Sequence, residues 1–284
     1  MSSRQSAAIP LKPAGVEHAQ ARYRRDDAPV PAAWNATLNT IFAHRSVRAY
    51  LPDALPAGTL ETLVTAAQSA PSSSNLQVWS VVAVEDPDRK ARLAALAGNQ
   101  RHIIEAPTFL VWLIDLARLR NLATENGRES GALDFTETFL LGAVDTALAA
   151  QNAVVALESL GLGSVYIGGI RNKPKEVAAE LGLPSHVFPL VGLVVGRPDP
   201  ARPAAVKPRL PQESVFFRER YVWNDAQRQA AESYNPRIRS FQREQAMPEL
   251  DWTAQAAQRT RGPESMAGRH VLRDVLGDLG FELK

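Results

Sequence analysis

The chain has no cysteine. That excludes structural disulfides, thiolate zinc sites, cysteine-ligated iron–sulfur clusters and a cysteine nucleophile. Any redox chemistry must then be carried by a bound cofactor. Histidine is sparse as well. The five, at positions 18, 44, 102, 186 and 270, show no two-ligand spacing on a common helix, so no metal site is expected. An excess of one charge is also missing: 32 Lys and Arg stand against 30 Asp and Glu, for a net charge of +2. The signs alternate along most of the chain, whereas a nucleic-acid binder shows a clustered basic face. No run reaches the roughly 18 apolar residues of a membrane span. The longest, near Pro189 to Val195, is about strand length. The first ~30 residues lack the continuous apolar stretch of a secretory signal. The expectation is a cytoplasmic protein with no nucleic-acid or membrane partner.

What is present suffices for a sizeable core: 284 residues, 45% of them hydrophobic. Residues 1–31 mix Arg, Asp, Ala and Pro and read as an extension, poorly ordered or lying on a partner. Residues 32–284 read as one domain with a C-terminal helical excursion. Pro29, Pro31 and Ala32 lead into a helix ending near His44. Leu60, Leu63, Val64 and Ala67 recur at helical spacing, with Thr59 as the expected N-cap and Pro71 as the stop. Val78 to Glu85, Phe109 to Ile114, Val165 to Ile167 and Val187 to Gly196 read as strands. Phe139 to Leu160 is helical and apolar nearly all round, so it is buried inside the protein or at a subunit interface. Gly127 to Gly131 reads as a mobile loop, and about Met266 to Leu279 as a final helix. Helices and strands do not alternate regularly, which fits α+β. No Gly-x-Gly-x-x-Gly follows a first strand, which argues against a Rossmann dinucleotide site.

Four segments carry candidate chemistry. His44-Arg45-Ser46-Val47-Arg48 packs an imidazole, a hydroxyl and two guanidiniums into one short stretch, a donor set suited to phosphate oxygens. Ser72-Ser73-Ser74-Asn75 is a loop of small polar residues able to hold a polar ligand edge. Tyr166-Ile167-Gly168-Gly169-Ile170-Arg171 places two glycines after a strand, which permits close backbone approach to a flat ligand. Lys207-Pro208-Arg209-Leu210-Pro211 holds two cations in a rigid extended backbone. Taken singly, these are also consistent with a solvated basic turn, a serine-rich helix stop, a strand-end turn and a Pro-rich linker.

Their order resembles the FMN-dependent nitroreductase and flavin reductase family, in its larger, oxygen-insensitive, NADPH-preferring branch. Further pieces of the same pattern are Gly98-Asn99-Gln100-Arg101-His102, Ala150-Gln151-Asn152-Ala153 and Glu158-Ser159-Leu160-Gly161-Leu162-Gly163. The resemblance runs from about Trp34 to the C-terminus. It implies a mostly antiparallel central sheet flanked by helices, in an intertwined homodimer with FMN at the subunit interface. It implies that His44, Arg45, Ser46, Lys207 and Arg209 hold the FMN phosphate and ribityl chain, with Ser72, Ser73 and Ser74 supplied by the second subunit. Arg48 and Gln100 would face the pyrimidine edge of the flavin, the backbone from Ile167 to Gly169 would approach its N5 and O4, and Tyr166 would also contact the cofactor. A guanidinium at that edge favours the reduced, negatively charged ring, so Arg48 is the expected tuning residue. No obligatory side-chain acid or base is implied. Ser74, Asn75 and Arg171 would line the acceptor pocket, and Arg237 and Arg239 would bind the 2′-phosphate of NADPH.

The implied activity is two-electron, ping-pong reduction of nitroaromatics, quinones or flavins, with NADPH or NADH as donor. This chain departs from the family pattern at Asn75, where a bulkier residue is usual, and after Tyr234, where an Asn-rich stretch is usual. A flavin-binding scaffold or sensor with incidental turnover is the alternative from another class. A cofactor-free α+β dimer is the third.

Overall fold

The computed structural model describes residues 13–29 and 31–284. In chain order the elements are α1 (Pro13–Tyr23), α2 (Ala36–Phe42), α3 (Thr59–Gln68), β1 (Trp79–Val84), α4 (Pro87–Leu96), α5 (Arg101–Glu105), β2 (Thr108–Asp115) and α6 (Ala117–Glu125). They continue as α7 (Thr136–Ser159), β3 (Gly163–Ile167), α8 (Pro174–Leu181), β4 (Val187–Gly196), α9 (Asp225–Glu232), α10 (Asn235–Glu244), α11 (Trp252–Arg259) and α12 (Leu272–Asp278). The chain forms two compact units. One joins the described residues up to Arg45 with Ala205–Arg261, and the other joins Ser46–Ala204 with Gly262–Lys284.

The larger unit holds a four-stranded sheet in the order β1-β2-β4-β3, with every pairing antiparallel. Successive side chains of a strand point to opposite faces, and the core shows this. Phe109, Val111 and Leu113 of β2 pack with Leu93, Ile103 and Val177 of α4, α5 and α8. Leu110 and Trp112, between them, pack on the other face with Leu63 of α3 and Ala149 and Ala153 of α7. Helices on both faces are why β2 and β4 read as continuous apolar runs. Ile114, Phe188, Leu276 and Phe281 close the end of the sheet.

Helix α7 is 24 residues long, and by length and composition alone it could cross a membrane. Instead one face is a core face, packed on α3 and β2. The other exposes Leu140, Val144 and Leu148, at 54%, 57% and 40%.

Three sequence expectations need correcting. The N-cap of α3 is Gly58, in the left-handed region at φ +78°, and Thr59 is the buried first residue of the helix. The final helix is shorter than 266–279, because Ala267 and Gly268 are left-handed (φ +52° and +84°) and break the chain into short 3₁₀ turns before Leu272. Residues 1–12 of the N-terminal extension lie outside the described residues. Pro13–Tyr23, however, is helix rather than a loose arm, because α1 finds partners on α2 and just before it in the smaller unit: His18 stacks on Trp34, and its Nε2 lies 3.0 Å from Asn39 Oδ1. That unit has its own apolar centre, Tyr234, Ile238 and Phe241 with Leu210 and Trp252.

Candidate functional site

In the larger unit the site is built around the end of β3. Ile167 and Ile170 are fully buried and anchor a 3₁₀ turn, Gly168–Arg171, whose glycines are only partly covered. A Cβ on Gly169 would lie 2.4 Å from the Ala97 carbonyl oxygen and 2.8 Å from Gln100 Nε2. Only glycine therefore lets the 97–100 turn sit against this backbone. That turn is set by left-handed Gly98 and Asn99 (φ +87° and +56°) and by Gln100 Nε2 donating to the Ala97 carbonyl at 2.9 Å. Gln100 and Gly169 are thus in contact.

Arg48 reaches this neighbourhood from the segment after Ser46. Val47 N–H donates to the Ser164 carbonyl at 2.9 Å, and Val47, Ala49 and Tyr50 are buried, which turns Arg48 outward. Arg48 has no carboxylate partner among the described residues, and its charge acts on His102, two positions past Gln100. On the other side of Gly168 two guanidiniums converge: a Cβ there would lie 3.6 Å from Arg171 Nη2 and 3.8 Å from Arg269 Nη1. Arg171 also donates to the Leu190 carbonyl. Burial, then the Arg269 charge, lowers its pKa from the usual arginine value. Arg171, Lys173 and Arg269 line an adjoining cavity of about 210 Å³. Backbone flanked by these cations, with Glu176 the carboxylate in the cavity wall, is a surface for a flat, anionic ligand.

Burial, reinforced by the Arg48 charge, holds the His102 imidazole below the usual histidine range. In the unfolded chain it titrates near 6.5. Below that pH the unfolded chain binds a proton that the folded chain refuses, so stability is full above about pH 6.5 and is lost as pH falls toward the folded-state value. Replacing His102 with Gln should flatten this limb of the stability–pH curve in denaturant titrations. An unchanged slope would contradict the assignment. His186, lowered by burial and then Arg120, accounts for a residual slope.

The serine loop is organised by a residue outside the four motif segments. Asp145 of α7 is buried. It accepts from Ser72 Oγ at 2.6 Å and from Ser73 N–H at 3.2 Å. Ser72 Oγ in turn accepts from Gln77 N–H at 2.8 Å. Ser72 therefore shapes the loop, and the exposed positions are Ser73, Ser74 and Asn75, the last two left-handed at φ +50° and +56°. The available signal was a carboxylate in the middle of an apolar helix.

In the smaller unit, buried Pro208 and Pro211 hold Lys207 and Arg209 outward. Tyr234 Oη donates to the Pro208 carbonyl at 2.8 Å. The Arg22 guanidinium binds the backbone on both sides, donating to the carbonyls of Lys207, Phe42 and His44 at 2.9 Å each. His44 and Lys207 are thereby brought together. Arg45 is exposed and donates to the Ala43 carbonyl at 3.1 Å. Tyr23, Lys207, Arg209, Tyr234 and Trp252 line a cavity of about 550 Å³. Arg239 pairs with Asp251, while Arg237 Nη1 is buried with no hydrogen-bond partner among the described residues.

Comparison with known proteins matches the same regions. Residues 41–197 match the model of the nitroreductase family, and residues 207–284 match that of the nitroreductase family C-terminal domain. An FMN reductase (NADPH) of Bacillus subtilis is 43% identical over 212 residues, 74% of this chain and 84% of that protein. An oxygen-insensitive NADPH nitroreductase of Salmonella typhimurium is 40% identical over 185 residues, 65% of this chain and 74% of that protein. The solved structure of the NfrA1 nitroreductase of B. subtilis superposes with a TM-score of 0.81 at 38% identity, covering 87% of this chain and 99% of that one. The sheet, the glycine turn and the paired-cation segment all fall inside the matched regions, and the chain belongs to the nitroreductase family.

Proposed function

We propose that this chain is an FMN-dependent oxidoreductase that takes reducing equivalents from NADPH or NADH and passes them, two electrons at a time, to nitroaromatics, quinones or free flavins. The observation that carries this reading is the side-chain-free Gly168–Gly169 backbone with Gln100 against one residue and Arg171 and Arg269 beside the other. A planar ring can approach the uncovered side of this backbone, whereas a Cβ at Gly169 would strike the Ala97 carbonyl and displace the turn. The names of the relatives support the reading, since they are FMN reductases and NADPH nitroreductases.

In this proposal His44, Arg45, Ser46, Lys207 and Arg209 hold the phosphate and ribityl chain, together with Ser73 and Ser74. Arg48 and Gln100 face the pyrimidine edge, and the backbone from Tyr166 to Gly169 faces the ring. Bound FMN supplies the two-electron redox chemistry. The chain's residues position it and set its charge environment: Arg48 places a positive charge at the ring edge, favouring added negative charge there. Arg171 and Arg269 offer further cations for the nucleotide or an acceptor, and Asn75 leaves room for the acceptor. Arg237 and Arg239 are assigned to the 2′-phosphate, which carries close to two negative charges.

The active form is proposed to be a homodimer. Leu140, Val144 and Leu148 form an exposed apolar row at four-residue spacing on α7, a surface that a second copy would cover. A cytoplasmic location belongs to the same proposal.

Steady-state kinetics test the activity. Double-reciprocal plots at several quinone concentrations should give the parallel lines of a ping-pong enzyme; intersecting lines would count against it. Replacing Arg237 and Arg239 together with Ala should raise KM for NADPH about tenfold and leave NADH little changed. An equal effect on both nucleotides would remove these residues from the 2′-phosphate site.

A further inference from the structure

The matched family region begins at residue 41, so α1 and the turn after it lie outside it. Arg22, at the end of α1, nevertheless bonds to the backbone of residues assigned to the FMN phosphate. We infer that this extension is a built-in brace for the phosphate clamp and that Arg22 is its positioning residue. The inference rests on the FMN reading above.

The geometry is specific. Arg22 Nη2 donates to the Phe42 and His44 carbonyls at 2.9 Å each, at the C-terminal end of α2. Carbonyls there lack helical partners and carry partial negative charge, which a guanidinium satisfies. Its Nη1 donates to the Lys207 carbonyl at 2.9 Å. The backbone carbonyl of Arg22 accepts from Arg209 N–H, also at 2.9 Å. One residue therefore bonds to the backbone of His44, Lys207 and Arg209, three of the residues proposed to hold the phosphate. Its guanidinium is spent on carbonyls, so it sets the clamp rather than joining it.

Neighbouring residues fix Arg22 in turn. Arg24 makes a two-pronged pair with Glu244 at 2.5 and 2.6 Å, and Arg25 lies 3.5 Å from Glu213. The basic run Arg22-Tyr23-Arg24-Arg25 is thus tied to the end of α2, to α10 and to the segment that follows the clamp. Holding the clamp backbone in place before a ligand arrives lowers the ordering cost of binding. That gain falls on the phosphate end of the ligand alone.

The test is a comparison of FMN with riboflavin, which lacks the phosphate. Full-length protein is stripped of flavin, and both affinities are measured by quenching of flavin fluorescence, for the natural protein and for Arg22→Ala. In the natural protein FMN should bind more tightly than riboflavin. In Arg22→Ala the FMN affinity should fall about tenfold with riboflavin affinity held within about twofold, so the preference shrinks. A preference that stays the same, whether both affinities fall together or neither does, overturns the positioning role. Should Arg22→Ala not fold, Arg22→Lys, with a single ammonium for three carbonyls, should still reduce the preference, and an unchanged ratio overturns the role equally. A natural protein with no preference for FMN over riboflavin would instead overturn the phosphate assignment on which the inference rests.

Discussion

Gly169→Ala should lower stability by about 1–3 kcal/mol and abolish flavin retention. The added methyl would sit 2.4 Å from the Ala97 carbonyl oxygen, a backbone atom that cannot rotate away. Relief requires moving the 97–100 turn or the Gly168–Arg171 turn. The first moves Gln100, whose Nε2 would itself lie 2.8 Å from the methyl. The second moves the backbone that faces the ring. Ile167 and Ile170 are fully buried, so the glycine turn has little freedom to yield. Thermal unfolding of the flavin-free protein reads the first effect, and FMN titration reads the second. A variant that melts with the natural protein and binds FMN normally would show that the contact relaxes at no cost and that the turn is not the cradle.

Arg209→Ala should weaken FMN binding by about 1.5–3 kcal/mol, the range for a charge-assisted hydrogen bond, or roughly ten- to hundredfold in Kd. Arg209 is exposed, and among the described residues its guanidinium donates only to the Lys207 and Pro208 carbonyls at 3.5 and 3.4 Å. No carboxylate pairs with it among the described residues, so its charge is available to a phosphate. The loss should therefore appear with FMN and not with riboflavin. Stability should hardly change, because removing an exposed side chain leaves no cavity and strands no buried charge. Unchanged FMN affinity would remove Arg209 from the clamp.

The parts of this molecule that were legible beforehand are those governed by local pattern. The β-branched runs that become β1, β2 and β4 stood out because helices cover both faces of the sheet and leave few polar positions. The apolar pattern of α7 is legible for the same reason, but it does not tell the core face from the row Leu140, Val144 and Leu148 that the structure leaves exposed. The order of basic, serine and glycine motifs pointed to the family. What was not legible depends on partners distant in sequence. Asp145 meets Ser72 across the fold, and nothing in its own helix marks that partner. Arg22 acts on backbone carbonyls, which have no side-chain identity to read, so its segment reads only as part of a mixed extension. Arg269 reaches Gly168 only through the return of the C-terminal segment. Thr59 looked like a cap because capping statistics favour Thr, yet left-handed Gly58 takes that position.

The most direct measurement is the visible absorption spectrum of the purified full-length protein, recorded before and after anaerobic addition of NADPH. The account predicts the yellow absorbance of bound flavin, bleaching with NADPH and recovery when a nitroaromatic or quinone is added. A colourless protein that takes up no FMN on reconstitution would contradict it, and so would a bound flavin that NADPH and NADH both fail to bleach.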